Sequence, residues 1–157
     1  MGLFLILNSK FLILNYSYEY PRPAVSADIA VFRQEGQSKQ ILLICRKNPP
    51  FQGMWALPGG FMEIDETVEE AATRELEEET GLTDVDLKQF KTFSQVDRDP
   101  RTRIVTVVFY GSVSFENSVA TGGDDAEGAE WFALDDLPPL GFDHNQIIDL
   151  ILTDLEK

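Results

Sequence analysis

A chain of 157 residues, 43% hydrophobic and 25% charged, has the size and composition of one globular domain with its own core, and no segment is long and apolar enough to cross a bilayer. Thirteen basic residues stand against 27 acidic ones, a formal net charge of −14, which argues against a nucleic-acid partner held by its phosphates. The single cysteine, Cys45, cannot close an intramolecular disulfide, so nothing requires an oxidising compartment and a cytoplasmic protein is expected.

In chain order, Met1–Asn15 holds two near-copies, Leu3-Phe-Leu-Ile-Leu-Asn8 and Lys10-Phe-Leu-Ile-Leu-Asn15, without the basic start and small-residue cleavage site of a signal peptide. Residues 1–19 are read as an N-terminal extension, either a hairpin turning at Asn8-Ser9 or a stretch foreign to the domain. Tyr20-Pro-Arg-Pro23 breaks regular structure and opens a domain over residues 20–157. Ala24–Arg33 and Ile41–Arg46 are predicted strands of a hairpin, joined by the polar turn Glu35–Gln40, with Cys45 a small buried strand residue. After a loop at Asn48–Gly53, a short strand at Trp55–Leu57 is expected to end at Pro58-Gly59-Gly60. Thr67 to Gly81 is the clearest helix: Thr67 and Glu70 form a capping-box pattern, and Gly81 supplies the stop. Val85–Val96 and Arg103–Phe115 read as strands, Asn117–Gly128 as a Gly- and Asp-rich loop, and Trp131–Leu134 as another strand. Asp143 with Gln146 starts a last helix, whose Ile147, Ile148, Ile151 and Leu155 suit packing on a sheet. The pattern predicts an α/β sandwich.

On a wheel of about 100° per residue, Val68, Ala71, Ala72 and Leu76 define the apolar side of the Val68–Thr80 helix. Thr73 and Glu77 lie opposite, with Glu70 nearby, whereas Glu75, Glu78 and Glu79 fall in the same arc as the apolar residues. Inward carboxylates within one turn repel each other and resist desolvation, and they sit at the negative end of the helix dipole. Arg74 is spaced to reach Glu70 and Glu78, but one arginine cannot neutralise three acids. A hard divalent cation with oxygen ligands satisfies the cluster, and Mg²⁺ is the usual choice where phosphates are present; the competing reading is an acidic, part-exposed helix end.

Gly60, then Glu66 after five residues, then Arg74-Glu-Leu-Glu-Glu-Glu-Thr-Gly-Leu82 after seven more resembles the Nudix box at every defining position. The resemblance implies an α/β/α sandwich around a mixed sheet and a Mg²⁺-dependent hydrolase, with Mn²⁺ as a substitute. It implies that Glu75, Glu78 and Glu79 ligate the metal together with the Gly60 carbonyl, that Arg74 holds the glutamates in place, and that Glu66 anchors the loop to the helix. Such a metal screens a diphosphate and lowers the pKa of its water, whose proton passes to a carboxylate. The base is open between Glu78, Glu79 and an acid of Gly122–Glu127, where Asp125 and Glu127 are the candidates and a plain solvated turn is the competing reading.

Outside the box, Arg46…Phe51-Gln-Gly-Met-Trp-Ala-Leu-Pro-Gly-Gly60, Arg98-Asp-Pro-Arg101, Gly123-Asp-Asp125 and Phe142-Asp-His144 resemble one branch of the family. It includes ADP-ribose pyrophosphatases, Nudix domains fused to a nicotinamide-nucleotide adenylyltransferase, and NrtR-like regulators. The branch implies hydrolysis of ADP-ribose to AMP and ribose 5-phosphate by a homodimer, with no nucleic-acid or membrane partner. Arg46, Arg98, Arg101 and Arg103 are candidate contacts to phosphate or ribose, or else loop salt bridges. Phe51 and Trp55 either stack on adenine or pack inside, and His144 orders the first turn of the last helix. Two other functions remain open: an ADP-ribose sensor without turnover, and a MutT-type nucleoside triphosphate pyrophosphohydrolase.

Overall fold

The computed structural model describes residues 18–120 and 126–157, the side chains of Ala126 and Glu127 excepted, so the Met1–Asn15 repeats and Asp125 lie outside the described residues. Seven strands and two long helices follow in the order β1 (Ala24–Glu35), β2 (Ser38–Arg46), β3 (Trp55–Ala56), β4 (Gly59–Phe61), α1 (Val68–Thr80), β5 (Lys88–Phe93), β6 (Ile104–Ser112), β7 (Ala126–Ala133) and α2 (His144–Leu155).

The alternation of β1 creates two cores. Ala27, Ile29 and Val31 point to one face, where they meet Leu42, Phe109 and the α1 residues Ala72 and Leu76. Ala30 points to the other, joining Ile41, Leu43, Leu57 and Val108 beneath Ile147, Ile148 and Ile151 of α2. Each fully buried Ile or Leu side chain contributes roughly 1.5–3 kcal/mol, so one helix is held against each face of the sheet. Among the described residues no helix is long and apolar enough to cross a membrane.

The sheet is mixed. β6 pairs parallel along one edge of β1, from Ala24↔Ile104 to Phe32↔Ser112, and β5 pairs antiparallel with β6. The other edge of β1 is shared: its end pairs with β2 (Phe32↔Ile41 to Glu35↔Ser38), its start with β4 (Ser26↔Phe61, Asp28↔Gly59). β2 in turn gives the end of that edge to β3 (Ile44↔Ala56) and its opposite edge to β7. β1 and β2 therefore splay apart, and the segment from Trp55 to Phe61 is driven between them like a wedge. The Ile29 N–H crosses the gap to the Pro58 carbonyl at 2.8 Å.

Several boundaries differ from the sequence expectation. The Gly59-Gly60 pair, expected only to end a strand, is itself β4, because a residue without Cβ can lie against the β1 backbone: a Cβ on Gly59 would strike the Ala27 carbonyl. β7 begins at Ala126, inside the expected Asn117–Gly128 loop, since its ladder with β2 runs from Arg46↔Ala126 to Gln40↔Ala133. The β1–β2 ladder extends through polar residues to Glu35↔Ser38, so the turn is shorter than Glu35–Gln40. β5 covers only Lys88–Phe93, and Phe115, expected in a strand, opens a short 3-10 helix, Phe115–Asn117.

Candidate active site

α1 forms where expected. Thr67 accepts the Glu70 N–H, the Glu70 carboxylate accepts the Thr67 N–H, and Gly81 ends the helix in the left-handed region at φ 73°. Ala71, Ala72 and Leu76 are buried, while Glu70, Thr73 and Glu77 are exposed. The wedge carries Gly59 and Gly60 to the C-terminal half of this helix. There the Gly59 N–H donates to Oε2 of Glu79 at 2.8 Å, and the Glu75 carboxyl occupies the space that a side chain at residue 60 would fill.

Arg74 organises the rest. Its guanidinium forks onto Glu66 (Nε to Oε2 2.9 Å, Nη2 to Oε1 2.6 Å), donates to Glu75 at 2.7 Å and to the Phe61 carbonyl at 3.1 Å, and stands 3.6 Å from Glu78. The expected contact to Glu70 does not form, because that carboxylate closes the capping box instead. Glu66 also accepts the Glu63 N–H at 2.7 Å and so ties the loop to the helix. The Arg74 hydrogen bond holds the Glu66 carboxyl below its usual range. Burial pushes Glu75 the other way, above the usual range, despite the adjacent arginine.

The three glutamates are not equivalent. Glu79 is 8% exposed and faces the protein, and Glu75 is largely covered. Glu78, expected to face inward, has a side chain 42% exposed and looks into the open cleft rather than at the sheet.

That cleft has a volume of about 400 Å³, in the range of small-molecule sites. Glu75, Glu78, Glu79, Gly60 and Arg74 line it together with Arg46, Arg98, Arg101, Phe142, His144 and Asp28. Arg98, its side chain 4% exposed, forks onto Asp143 (Nε to Oδ2 3.0 Å, Nη2 to Oδ1 2.7 Å) and reaches Asp28 at 3.5 Å. Asp143 immediately precedes α2, as expected, but its carboxylate serves Arg98 and makes no side-chain cap. Arg101 pairs with Asp99 through Nε (3.0 Å) and Nη2 (2.7 Å) and lies over the rings of Phe61 and Phe142. Burial acts to raise the Asp99 carboxyl, but the Arg101 hydrogen bonds outweigh it and the group lies below its usual range. Arg46 lies over Phe142 and donates to two neutral acceptors, the Pro50 carbonyl at 2.8 Å and the Asn48 carbonyl at 3.3 Å.

Phe51, Trp55 and Arg103 are not among the residues lining the cleft. Phe51 stands behind the wall, its ring edge-on to Phe142 at 4.7 Å, and Trp55 packs on Phe132 at 4.6 Å. Arg103 donates to the Gln95 carbonyl from an exposed position. Glu127 lies on β7, with its side chain outside the described residues. Sequence reasoning missed Asp28 and Asp99 as cleft carboxylates and Asp143 as the partner of Arg98; only the arginines beside them hinted that counter-charges were needed.

Among the described residues no group of three acids is gathered closely enough to hold a metal ion unaided. The donor set nevertheless fits a hard cation. It consists of carboxylate oxygens, one of them on a buried group held above its ordinary range, beside a backbone with no side chain to obstruct it.

The comparisons agree with the geometry. A NUDIX domain model matches residues 22–151. The ADP-ribose pyrophosphatase of Methanocaldococcus jannaschii is 46% identical over 129 residues, 82% of this chain and 73% of that protein. The ADPR-responsive transcriptional repressor NtrR of Acinetobacter baylyi is 34% identical, over 88% of this chain and 56% of its own. The NUDIX domain of Shewanella oneidensis NrtR, solved with ADP ribose, superposes with a TM-score of 0.82 at 31% identity, covering 90% of this chain and 94% of that domain. With the family model spanning most of its length and the box residues gathered on one cleft, the chain belongs to the Nudix family.

Proposed function

We propose that this Nudix pyrophosphohydrolase cleaves ADP-ribose with water to AMP and ribose 5-phosphate, in a Mg²⁺-dependent reaction that Mn²⁺ also supports. The observation that carries the reading is the cleft itself, lined by glutamates of one helix together with Arg46, Arg98 and Arg101. The ADP-ribose pyrophosphatase named for the 46% identical relative supports the substrate.

Glu75, Glu78, Glu79 and the Gly60 carbonyl are the groups that would hold the cation. Bound there, it would screen the diphosphate and acidify water. The chain does the rest. Arg74, locked by Glu66, keeps Glu75 in place, and Glu66 anchors the loop. Arg46, held by the Pro50 and Asn48 carbonyls, presents its guanidinium to the diphosphate, flanked by Arg98 and Arg101. Phe51 backs the Phe142 ring, against which a base can stack. Glu78, Glu79 or Glu127 accepts the water's proton; Glu78 has the open position for it. The ligand is a small molecule rather than nucleic acid, in keeping with the net charge of −14. The proposal extends to a cytoplasmic homodimer: exposed Phe61, Met62 and Ile64 beside the cleft offer apolar surface to a second copy.

A second reading, an ADP-ribose sensor, is favoured by the resemblance to NtrR and to the NrtR domain solved with ADP ribose. The test is a panel of nucleoside diphosphate derivatives and triphosphates, with and without Mg²⁺, for the parent chain and Glu78→Gln. We expect Mg²⁺-dependent turnover of ADP-ribose, nearly abolished in Glu78→Gln with an unchanged melting temperature. Binding without turnover of any compound would establish the sensor, and turnover of triphosphates alone would replace the substrate with a MutT-type one.

A further inference from the structure

Asp28 is a deep carboxylate with poor company. It sits on β1 facing the α2 side, is 8% exposed, and lines the cleft floor. A carboxylate so placed ordinarily collects short hydrogen bonds. Among the described residues its side-chain contacts are 3.5 Å to Arg98 and 3.7 Å to Nε2 of His144, and Arg98 is committed to Asp143 by two shorter bonds.

His144 supplies the other half of the arrangement. Its Nδ1 accepts the Leu57 N–H at 2.9 Å, and burial lowers its pKa, so the ring is neutral at pH 7 with its proton on Nε2. That nitrogen is the one beside Asp28, yet 3.7 Å is too long for a hydrogen bond between them. A donor and an acceptor thus stand side by side on the cleft lining.

We propose that Asp28 and His144 together read a sugar hydroxyl of the bound nucleotide. The hydroxyl hydrogen goes to Oδ1 of Asp28, and its oxygen accepts from Nε2–H of His144. A hydroxyl is donor and acceptor at once and satisfies both groups. A phosphate oxygen is repelled by the carboxylate, and a metal ion is opposed by Arg98 and by the imidazole N–H. The place in the fold fits: a Cβ on Gly59 would lie 3.0 Å from Oδ1 of Asp28, and the Gly59 amide holds Glu79. The hydroxyl read here therefore lies next to the hydrolytic carboxylates, on a sugar attached directly to the diphosphate. The inference rests on the ADP-ribose reading and adds the group that selects a ribose-bearing ligand.

Both riboses of ADP-ribose carry this chemistry, and titration calorimetry in EDTA, where nothing is turned over, separates them. The probes are ADP-ribose, AMP, ribose 5-phosphate and inorganic pyrophosphate. Asp28→Ala is expected to weaken ADP-ribose at least ~10-fold while leaving pyrophosphate unchanged or tighter, since a repelling charge is gone. A parallel loss for AMP assigns the adenosine ribose; a parallel loss for ribose 5-phosphate assigns the other sugar. Asp28→Asn, which keeps the volume and one acceptor, is expected to show the same pattern with a smaller loss, and it carries the test if the alanine variant fails to fold. Unchanged ADP-ribose affinity, or pyrophosphate weakened in proportion, would overturn the inference alone. A parent chain that binds none of the sugar-bearing probes would take the ADP-ribose reading down with it.

Discussion

At Gly60 the missing side chain is the useful property, because the Glu75 carboxyl fills the space where a Cβ would stand. Gly60→Ala must push Glu75 away from Arg74 or lift β4 off β1. Misplacement by about an ångström costs on the order of 100-fold in rate, so we expect Mg²⁺-dependent turnover to fall by about that factor, with a stability loss of roughly 1–3 kcal/mol in urea titrations. Normal turnover in the alanine variant would show that Glu75 need not sit there. Helical periodicity marked Glu75, Glu78 and Glu79, while Gly60, Glu66 and Arg74 were legible only through the resemblance of their spacing to the Nudix box. Asp28 and Asp143 were not, since Arg98 joins them across separations of 70 and 45 residues that no local pattern encodes. Periodicity also missed the difference between Glu78 and Glu79: a wheel gives the direction of a side chain but not whether the sheet extends beneath it.

Among the elements, α1 was readable to the residue because both of its ends are written in its own side chains, the Thr67–Glu70 box and Gly81. β4 and the start of β7 were not, because their pairing comes from neighbours: β1 accepts two glycines and β2 recruits Ala126. The junction of β1, α2 and the loop around Arg98 depends on a single buried guanidinium. Removing it leaves Asp28 and Asp143 as buried carboxylates without their cation, which typically costs 3–5 kcal/mol. Arg98→Ala is therefore expected to destabilise the fold by about that amount, and Arg98→Ala with Asp143→Ala by less than the sum of the two single changes. Strict additivity in the double-mutant cycle would show that the pair is not coupled.

For the whole molecule, acid stability has a readable sign. His144 is buried but for the edge that lines the cleft, and burial lowers its pKa, so in the folded state it stays neutral below the pH at which the unfolded chain takes up its proton, about 6.5. The unfolded state then binds more protons, and stability falls as pH drops from about 7 towards 5. Glu66 and Asp99, held below their usual range, add their loss only further down, as pH falls through the carboxylate region. We expect the urea midpoint to decline between pH 7 and 5.5, and the decline to flatten in His144→Asn, which is less stable throughout. An equally steep decline in that variant would place the titrating group elsewhere.

The pairing of β1 with β6 has a consequence for the newborn chain. The two strands that form the middle of the sheet are about 80 residues apart in sequence, and β1 carries Ala27, Ile29, Ala30 and Val31, all without solvent exposure in the finished fold. During synthesis β1 leaves the ribosome long before its parallel partner exists, with one edge unclaimed and both faces apolar, the condition under which chains stick to one another. The same strand that carries Asp28 to the cleft floor is thus a segment in need of shelter while the rest of the chain is made.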